Sequence, residues 1–297
     1  MSTPTANGVG VGMTDHRRGL LIASAAVLLI SFDALLVRLA AADHWDIVFW
    51  RGWLICLTLA SWMLINRQTL VLPATRRARW LIAAAVVMLS GNVILFVLSV
   101  SHTAAANTVV ILAASPFFAA LFSWIFLRER VALRTVIAIV SAMAGVLIVF
   151  SGALQGGTAL GDGFAFLLAI CVGGQLTILR HFPQLPRLPL VCASGGLAGL
   201  IAMPFAAPFA LDGQTYAVVA VMGIAQMPLA TLMLTVATRY LPAPEVSLFL
   251  LLETVLAPIW VWWVLNEPVP GLTFVGGGLI MLTVATHAWL ALREERG

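Results

Sequence analysis

Ten apolar blocks, separated by short charged or Pro/Gly-rich segments, dominate this chain of 297 residues. Each block is close to the roughly 20 residues that an α-helix needs to cross about 30 Å of hydrocarbon. Stretches such as LLIASAAVLLI, which begins at Leu20, are apolar on every face, whereas strands of a membrane barrel would alternate polar and apolar residues. The pattern therefore predicts an all-α integral membrane protein. The predicted spans, numbered 1 to 10, are Gly19–Arg38, Ile47–Ile65, Leu81–Ser99, Thr103–Leu127, Val131–Phe150, Gly163–Leu179, Leu188–Pro208, Ala217–Thr238, Ala243–Leu265 and Thr273–Leu292.

The composition supports the same class, because 62% of the residues are hydrophobic and only 9% are charged, about a third of the charge of a soluble domain. The polar segment 1–17 before the first span predicts a disordered cytoplasmic tail, and no cleavable signal peptide is evident. Cys56, Cys171 and Cys192 fall inside predicted spans without metal-ligand spacing, and they are interpreted as small core residues.

The distribution of positive charge predicts the orientation in the membrane. All sixteen basic residues are arginine, and with a cytoplasmic N-terminus fourteen of them fall on the cytoplasmic side. Only Arg38 and Arg51 lie toward the other side, and a bias of this size sets orientation. We therefore expect both termini in the cytoplasm, and interpret the net charge of +4 as anchoring to an anionic leaflet, with no nucleic acid as partner.

An internal repeat is visible at an offset of 138 residues. Residues 102–150 align with residues 240–288 without gaps, at ten identical positions out of forty-nine. The match includes WIFLRERVALRT and WWVLNEPVPGLT, in which the arginines of the first copy are missing from the second. Because five spans are an odd number, the chain is on the opposite side of the membrane when the second copy begins. The second copy is therefore inverted, and its turn between the last two spans lies on the opposite side from the matching turn of the first copy. The sequence therefore predicts two inverted five-helix repeats, 18–155 and 156–297, with a substrate path at their interface.

The segments SPFFAALFSWIFLRERV and LLETVLAPIWVWWVLNEPV resemble the two Pro-containing helices of the drug/metabolite transporter superfamily, specifically its EamA-type ten-helix exporters. The resemblance extends from about residue 19 to residue 292. It implies export of small metabolites across a bacterial inner (plasma) membrane, and exporters of the similar YddG type handle aromatic amino acids. Many family members have Glu-Pro in the second copy. Here Glu253 is followed by Thr254, and Pro258 comes one turn later, which moves the expected kink.

Polar and aromatic residues at matching positions of spans 4 and 9 are the strongest candidates for a substrate site. Asn107 aligns with Glu245, Ser115 with Glu253, and Phe122 with Trp260, each series lying on roughly one helical face. Further polar candidates come from spans 3, 6 and 8. The predicted cavity residues are Asn92, Phe96, Asn107, Ser115, Phe118, Phe122, Gln175, Gln226, Phe249, Glu253 and Trp260.

Glu253 lies near the middle of span 9, where an ionised carboxylate is unfavourable by several kcal/mol unless it is paired or protonated. It is either a site of possible proton coupling or substrate binding, or a protonated carboxyl bonded to a carbonyl freed by Pro258. Glu245, near the cytoplasmic end, is interpreted as a gate or interface residue. Asp33 is expected to form a structural ion pair with Arg38 or Arg51. The uncharged amides and the aromatic residues can equally serve helix contacts and core packing.

Small residues predict where helices approach closely. Gly195 and Gly199 in span 7 form a small-xxx-small pattern, and the run Gly276 to Gly278 in span 10 indicates a neighbour very near its backbone.

Three classes of function remain open. A secondary transporter working by alternating access explains the repeat and the buried carboxylate together, with a small amino-acid-like metabolite and the lipid bilayer as partners and no cofactor or metal. An exchanger of phosphorylated sugars or nucleotide-type anions would need basic residues in the cavity. A membrane-embedded enzyme or scaffold is the third class, but all five histidines lie at or beyond span ends, without catalytic spacing.

Overall fold

The computed structural model describes residues 13–67, 75–102, 108, 111–128, 132–150, 158–265 and 271–294. The structure of these residues is all helical. The α-helices, in chain order, are α1 (Met13–Ile30), α2 (Asp33–Ala40), α3 (His44–Ile65), α4 (Arg76–His102), α5 (Ser115–Phe122), α6 (Leu133–Phe150), α7 (Ala159–His181), α8 (Arg187–Ala202), α9 (Gly213–Ala220), α10 (Met227–Ala237), α11 (Ala243–Leu250), α12 (Glu253–Leu265) and α13 (Gly271–Glu294). There are also two π-helical segments among these residues. Ser123–Leu127 follows α5, and Val221–Gln226 joins α9 to α10.

Six helical segments of the described residues are long and apolar enough to cross a membrane. They coincide with predicted spans 1, 2, 3, 6, 8 and 9. Shorter apolar helices of 10–17 residues lie at the positions of spans 4, 5, 7 and 10. The prediction of an all-α membrane protein is confirmed, and six of its spans meet the length and hydropathy that a crossing requires.

Predicted spans 4 and 9 are interrupted at matching positions. The chain leaves the helix at Ala113 and Ala114 before α5, and at Leu251 and Leu252 before α12, which is the same point after an offset of 138. Each interruption has the tighter bonding of a 3₁₀ turn, because the amides of Ala114 and Leu252 donate to the carbonyls three residues earlier, at 3.0 Å in both cases. The sequence placed the kink of span 9 at Pro258, but α12 runs through that residue and the interruption precedes Glu253.

The most extensive helix contacts join spans of the first half to spans of the second, and two of them join corresponding spans. Helix α3 packs along α8, which pairs spans 2 and 7, and α6 packs along α13, which pairs spans 5 and 10. Extensive contacts also join α4 with α7 and α1 with α10. The first of these pairs joins spans 3 and 6, and the second joins spans 1 and 8. The two pairs are equivalent under the repeat, because span 3 corresponds to span 8 and span 1 corresponds to span 6.

The contact between α3 and α8 is a close approach of two backbones. A Cβ atom added to Gly52 would lie 2.5 Å from the Gly199 nitrogen and 2.7 Å from the Gly195 carbonyl oxygen. Between α6 and α13, a Cβ added to Gly145 would lie 2.9 Å from the Gly276 carbonyl oxygen. Both close approaches that the glycine patterns predicted are confirmed, because only hydrogen fits at these positions.

Contacts at one end of the helices connect the start of the first half with the end of span 8. A Cβ added to Gly19 in α1 would lie 2.7 Å from the Tyr240 Cβ, just beyond α10. At the same end the Arg187 guanidinium donates to the Leu179 carbonyl and, at 3.4 Å, to the Thr238 hydroxyl. This end therefore carries the first residues of α1 and α8 and the last residues of α7 and α10.

Contacts at the other end include the start of the second half. The Thr215 hydroxyl donates to the Ala40 carbonyl at 2.7 Å, which joins the start of α9 to the end of α2. The first turns of α3 pack against Val97 near the end of α4. The Thr158 hydroxyl, before α7, donates to the His102 carbonyl at 2.6 Å. The first and second halves thus begin at opposite ends of the helices.

Candidate functional site

Side chains donate hydrogen bonds to the backbone carbonyls at the interruption of span 1, between α1 and α2. Ser31 and Phe32 form the break, which frees carbonyl oxygens near the end of α1 from regular helical bonding. The Ser31 hydroxyl donates to the Leu28 carbonyl at 2.7 Å, and the Gln226 amide donates to the Leu29 carbonyl at 3.0 Å. Gln226 belongs to the second half of the chain, so both halves contribute to this break.

Helix α12 lies directly against the same break. The Trp260 indole nitrogen donates to the Ser31 Oγ at 2.8 Å. Its ring stacks on Phe32, with ring centroids 4.6 Å apart and an interplanar angle of 17°. Two broken spans, one from each half, therefore meet through an aromatic stack and a hydrogen bond.

A buried ion pair follows the break by one residue. Asp33, the first residue of α2, accepts a hydrogen bond of 3.1 Å from Nη1 of Arg51 on α3. The two residues are only 4% and 3% exposed. The Asp33 Oδ1 and the Arg51 Nε have no hydrogen-bond partner within the described part of the chain. One hydrogen bond thus joins the pair, and each member keeps a polar atom without a partner among the described residues, although buried polar atoms are normally bonded.

Glu253 completes this group from the side of α12. It is the first residue of that helix, directly after the interruption at Leu251 and Leu252. Its partly buried carboxyl group interacts electrostatically with Asp33 and Arg51. The N-terminus of a helix favours negative charge, which suits a carboxylate at this position.

These contacts define the break cluster, which comprises Ser31, Phe32, Asp33, Arg51, Gln226, Glu253 and Trp260. It contains two carboxyl groups, one guanidinium, one amide and two aromatic rings, contributed by α2, α3, the π-helical segment before α10, α12 and the break itself. The Gln226 Oε1 also has no hydrogen-bond partner among the described residues. The cluster combines buried charge with unused donors and acceptors, which is the composition expected of a binding site for a polar small molecule.

Other predicted site residues lie around α5 and α7. Phe118 and Phe122 have ring centroids 6.3 Å apart, and Ser115 begins α5 in the same way that Glu253 begins α12. A Cβ added to Gly174 would lie 3.6 Å from the Phe122 ring, so this ring packs against α7 at the residue before Gln175. Gln175 is buried and its Oε1 has no hydrogen-bond partner in the described ranges.

The remaining predicted cavity residues are placed less specifically. The Asn92 Oδ1 on α4 is buried without a hydrogen-bond partner among the described residues. Phe96 packs against the main apolar core, and Phe249 is a member of that core at 4% exposure. Asn107 lies outside the described residues.

Glu245 forms a second charged group, two helical turns before Glu253. Its Oε1 lies 3.8 Å from Nη2 of Arg134 on α6 and 3.6 Å from Nε2 of His287 on α13. Glu245 and His287 are both 3% exposed. This group ties the start of α6, the start of α11 and the end of α13 together, at a distance along the helix from the break cluster.

The ion pair that the sequence predicted between Asp33 and either Arg38 or Arg51 is confirmed with Arg51. The sequence did not place Arg51, Ser31 or Phe32 among the site residues. Arg51 was counted with the residues near a span end, although it lies inside predicted span 2, and a charged residue inside a span is itself a signal of function. The structure also contains a recess of ≈ 340 Å³, lined by Arg76, Arg79, Trp80 and Ala83. None of these lining residues belongs to the break cluster, so we base the site on the cluster.

The profile of the EamA-like transporter family matches the chain twice, over residues 17–151 and 159–287. The chain belongs to the EamA-like transporter family. This EamA-like protein is therefore a multi-pass membrane transporter of small molecules that contains two copies of the family unit. The predicted resemblance is confirmed.

The fold of this EamA-like transporter is shared with solved structures, of which twenty-nine chains match significantly. One crystal structure of a protein superposes with a TM-score of 0.78. The superposition covers 93% of this chain and 98% of the other, at 17% sequence identity, and so shows a common fold. No curated protein sequence gives a significant match.

The two family matches also relate the break cluster to the residues around α7. The matches begin at residues 17 and 159, an interval of 142, and the same interval separates Asp33 from Gln175. Ser115 and Glu253 are related by the offset of 138. By these offsets, each copy carries one carboxyl group where the other has an uncharged side chain. Asp33 and Ser115 belong to the first copy, and Gln175 and Glu253 belong to the second.

Proposed function

We propose that this EamA-like protein is a secondary transporter that exports small metabolites, with aromatic or other hydrophobic amino acids as the favoured cargo. It works by alternating access through a central cavity between two five-helix repeats, 18–155 and 156–297. The observation that carries the proposal is the break cluster, in which buried charges of both repeats meet at interrupted helices. Interrupted helices at a repeat interface are where secondary transporters bind substrates and coupling ions.

The contacts at the helix ends support the inverted arrangement of the repeats. The start of α1 lies beside the end of α10, whereas the residue before α7 is bonded to the end of α4. These contacts are expected when ten successive spans cross the membrane in alternating directions, because the first and sixth spans then begin on opposite sides. With the arginine bias, the proposal places both termini in the cytoplasm and the chain in a bacterial inner membrane.

The favoured cargo follows from the chemistry of the cluster. Trp260 and Phe32 provide an aromatic surface beside one guanidinium and two carboxyl groups. A flat apolar side chain with a small charged head fits such a mixture of groups.

Glu253 is the proposed coupling residue. A carboxyl group that faces Asp33 and Arg51 in a partly buried position changes its interaction energy with both when it gains or loses a proton. Proton binding can therefore be linked to cargo binding at the same break. Glu245, paired with Arg134 and His287, is proposed as a gate or interface residue without cargo contact.

One observation favours a second function, an exchanger of phosphorylated sugars or nucleotide-type anions. Arg51 is a buried basic residue in the cluster, and guanidinium groups bind phosphate well. However, Asp33 already pairs with it and Glu253 faces both, so a phosphate dianion would meet two carboxyl groups. We therefore favour a cargo of low net charge.

Counterflow in proteoliposomes tests the proposal. The purified protein is reconstituted with a panel of unlabelled amino acids inside, and uptake of each radiolabelled amino acid is measured. We expect saturable exchange that is fastest for aromatic amino acids and absent from liposomes without protein. Exchange of phosphate esters alone would establish the second function instead.

A further inference from the structure

The unused polar atoms of the break cluster have a specific pattern. The acceptors without a hydrogen-bond partner in the described ranges are the Asp33 Oδ1 and the Gln226 Oε1. Both belong to the same break, because the Gln226 amide is bonded to Leu29, four residues before Asp33. The Glu253 carboxyl group interacts electrostatically with Asp33 and Arg51 and adds a further acceptor group beside them. The cluster thus offers three acceptors.

The unused donor is on the guanidinium of Arg51. Its Nη1 is bonded to the Asp33 Oδ2, and its Nε has no partner among the described residues. The edge of a guanidinium that carries Nε binds a carboxylate through two parallel hydrogen bonds, and Asp33 occupies a different edge. Arg51 can therefore keep its ion pair and still receive a second carboxylate.

We infer that the break cluster is a receptor for the zwitterionic head of an α-amino acid, in which Arg51 binds the carboxylate while Asp33, Gln226 and Glu253 surround the ammonium group. An ammonium group has three N–H donors, and the cluster has three acceptors for them. The inference rests on the transport function proposed above, and it adds that both charges of the cargo are required.

Electrostatics distinguishes a zwitterionic amino acid from an amine that lacks the carboxylate and from an acid that lacks the amine. An amine without a carboxylate leaves the Arg51 Nε unbonded in a buried site. A carboxylate without an amine brings a third negative group beside Asp33 and Glu253. In both cases a buried polar group remains unsatisfied, which is the strongest source of discrimination between similar ligands.

Three probes with the same aromatic ring test the inference, namely L-phenylalanine, phenethylamine and 3-phenylpropionate. Each is used as a competitor and as a counterflow substrate with the wild-type protein in proteoliposomes. We expect L-phenylalanine to be preferred over the other two by at least about tenfold, as the loss of one charged hydrogen-bonding contact predicts. Preference for the amine or the acid alone would leave the transport proposal intact and overturn the zwitterion receptor. Exchange of none of the three, together with no counterflow of any amino acid in the panel described above, would overturn both.

Variants of the ion pair identify the residue. Removal of Arg51 alone leaves Asp33 buried and unpaired, so the test uses the double variant D33N/R51Q, which removes both charges together, and R51K, which keeps the charge. In D33N/R51Q we expect L-phenylalanine exchange to fall at least about tenfold relative to phenethylamine exchange, because only the former needs the guanidinium. R51K should restore part of the preference. An unchanged ratio of the two rates in D33N/R51Q, with the protein folded by size-exclusion chromatography, would overturn the role of Arg51.

Discussion

The indole nitrogen of Trp260 donates a hydrogen bond of 2.8 Å to the hydroxyl of Ser31, across 229 positions of sequence. This bond joins the second half of a broken span to the break of another. The Ser31 hydroxyl in turn donates to the Leu28 carbonyl, so the indole extends a network that replaces lost helical bonding. Bonds of this kind fix the relative position of two interrupted helices.

Trp260→Phe tests the bond without removing the aromatic ring. We expect the stack on Phe32 to persist and the stability to fall by about 1 kcal/mol, the usual value of one hydrogen bond. Thermal unfolding in detergent measures the change. Trp62→Phe is the matched control, because that indole is 57% exposed and should give no shift. Equal melting temperatures for all three proteins would show that the bond contributes nothing.

Glu253→Gln tests proton coupling. The amide keeps the size of the side chain and removes the titratable group, so we expect flux of amino acid to lose its dependence on an imposed pH gradient. Folding should be unaffected, because neutralisation also removes the repulsion with Asp33. Flux is measured in reconstituted vesicles at several internal pH values. If the variant responds to pH as the wild type does, Glu253 has no coupling role.

Glu245→Gln distinguishes a gate from a cargo contact. The substitution weakens the contacts with Arg134 and His287 and should lower stability by about 1 to 3 kcal/mol, the range for a buried polar group that loses its partner. We expect the maximal exchange rate to change while the apparent KM stays the same, because Glu245 lies two turns from the break cluster. An increase in the apparent KM for the amino acid would assign Glu245 to the cargo site.

Gly52→Ala tests the close approach of α3 and α8. The new Cβ would lie 2.5 Å from a backbone nitrogen, which cannot move without separating the helices. We expect a loss of about 1 to 3 kcal/mol from overpacking. Gly163→Ala in α7 is the control, since a Cβ there meets nothing within 4 Å. Thermal unfolding that is equally mild in both variants would contradict the tight contact.

Labelling of single cysteines tests the inverted repeats. Arg128→Cys and Asn266→Cys are made in a background in which Cys56, Cys171 and Cys192 are replaced by alanine. Under the proposed topology a membrane-impermeant thiol reagent applied outside intact cells modifies position 266 and leaves position 128 unlabelled. Modification of both positions from the same side would contradict the inverted arrangement.

Hydropathy predicted the helical class and the matched halves because a membrane imposes long apolar blocks that are visible in any sequence. The interruptions were not predicted in place. In span 4, Pro116 follows the break at Ala113 and Ala114 and is a local signal for it. Leu251 and Leu252 have no neighbouring glycine or proline, and the break before Glu253 was expected at Pro258. Such breaks depend on the helices that pack around them, which one sequence does not reveal.

The candidate site was predicted in part for a related reason. Glu253, Gln226 and Trp260 were found from repeat position and helical spacing, and the structure brings them together at the break of span 1. Arg51 was not placed among the site residues, because its position near one end of span 2 was taken to mean that it lies near the membrane surface and not in the protein interior. Its burial results from its contact with Asp33 on a different helix, which the sequence suggested only as one of two pairings.

The matched interruptions carry Ser115 in one copy and Glu253 in the other, so the bend in the backbone does not need an acid. Architecture and selectivity are thereby separable in this molecule. If Glu253 contacts cargo as proposed, a single replacement at the residue after the interruption would change the cargo that is recognised while the helices keep their positions. Related transporters could then acquire new cargoes without a change of fold.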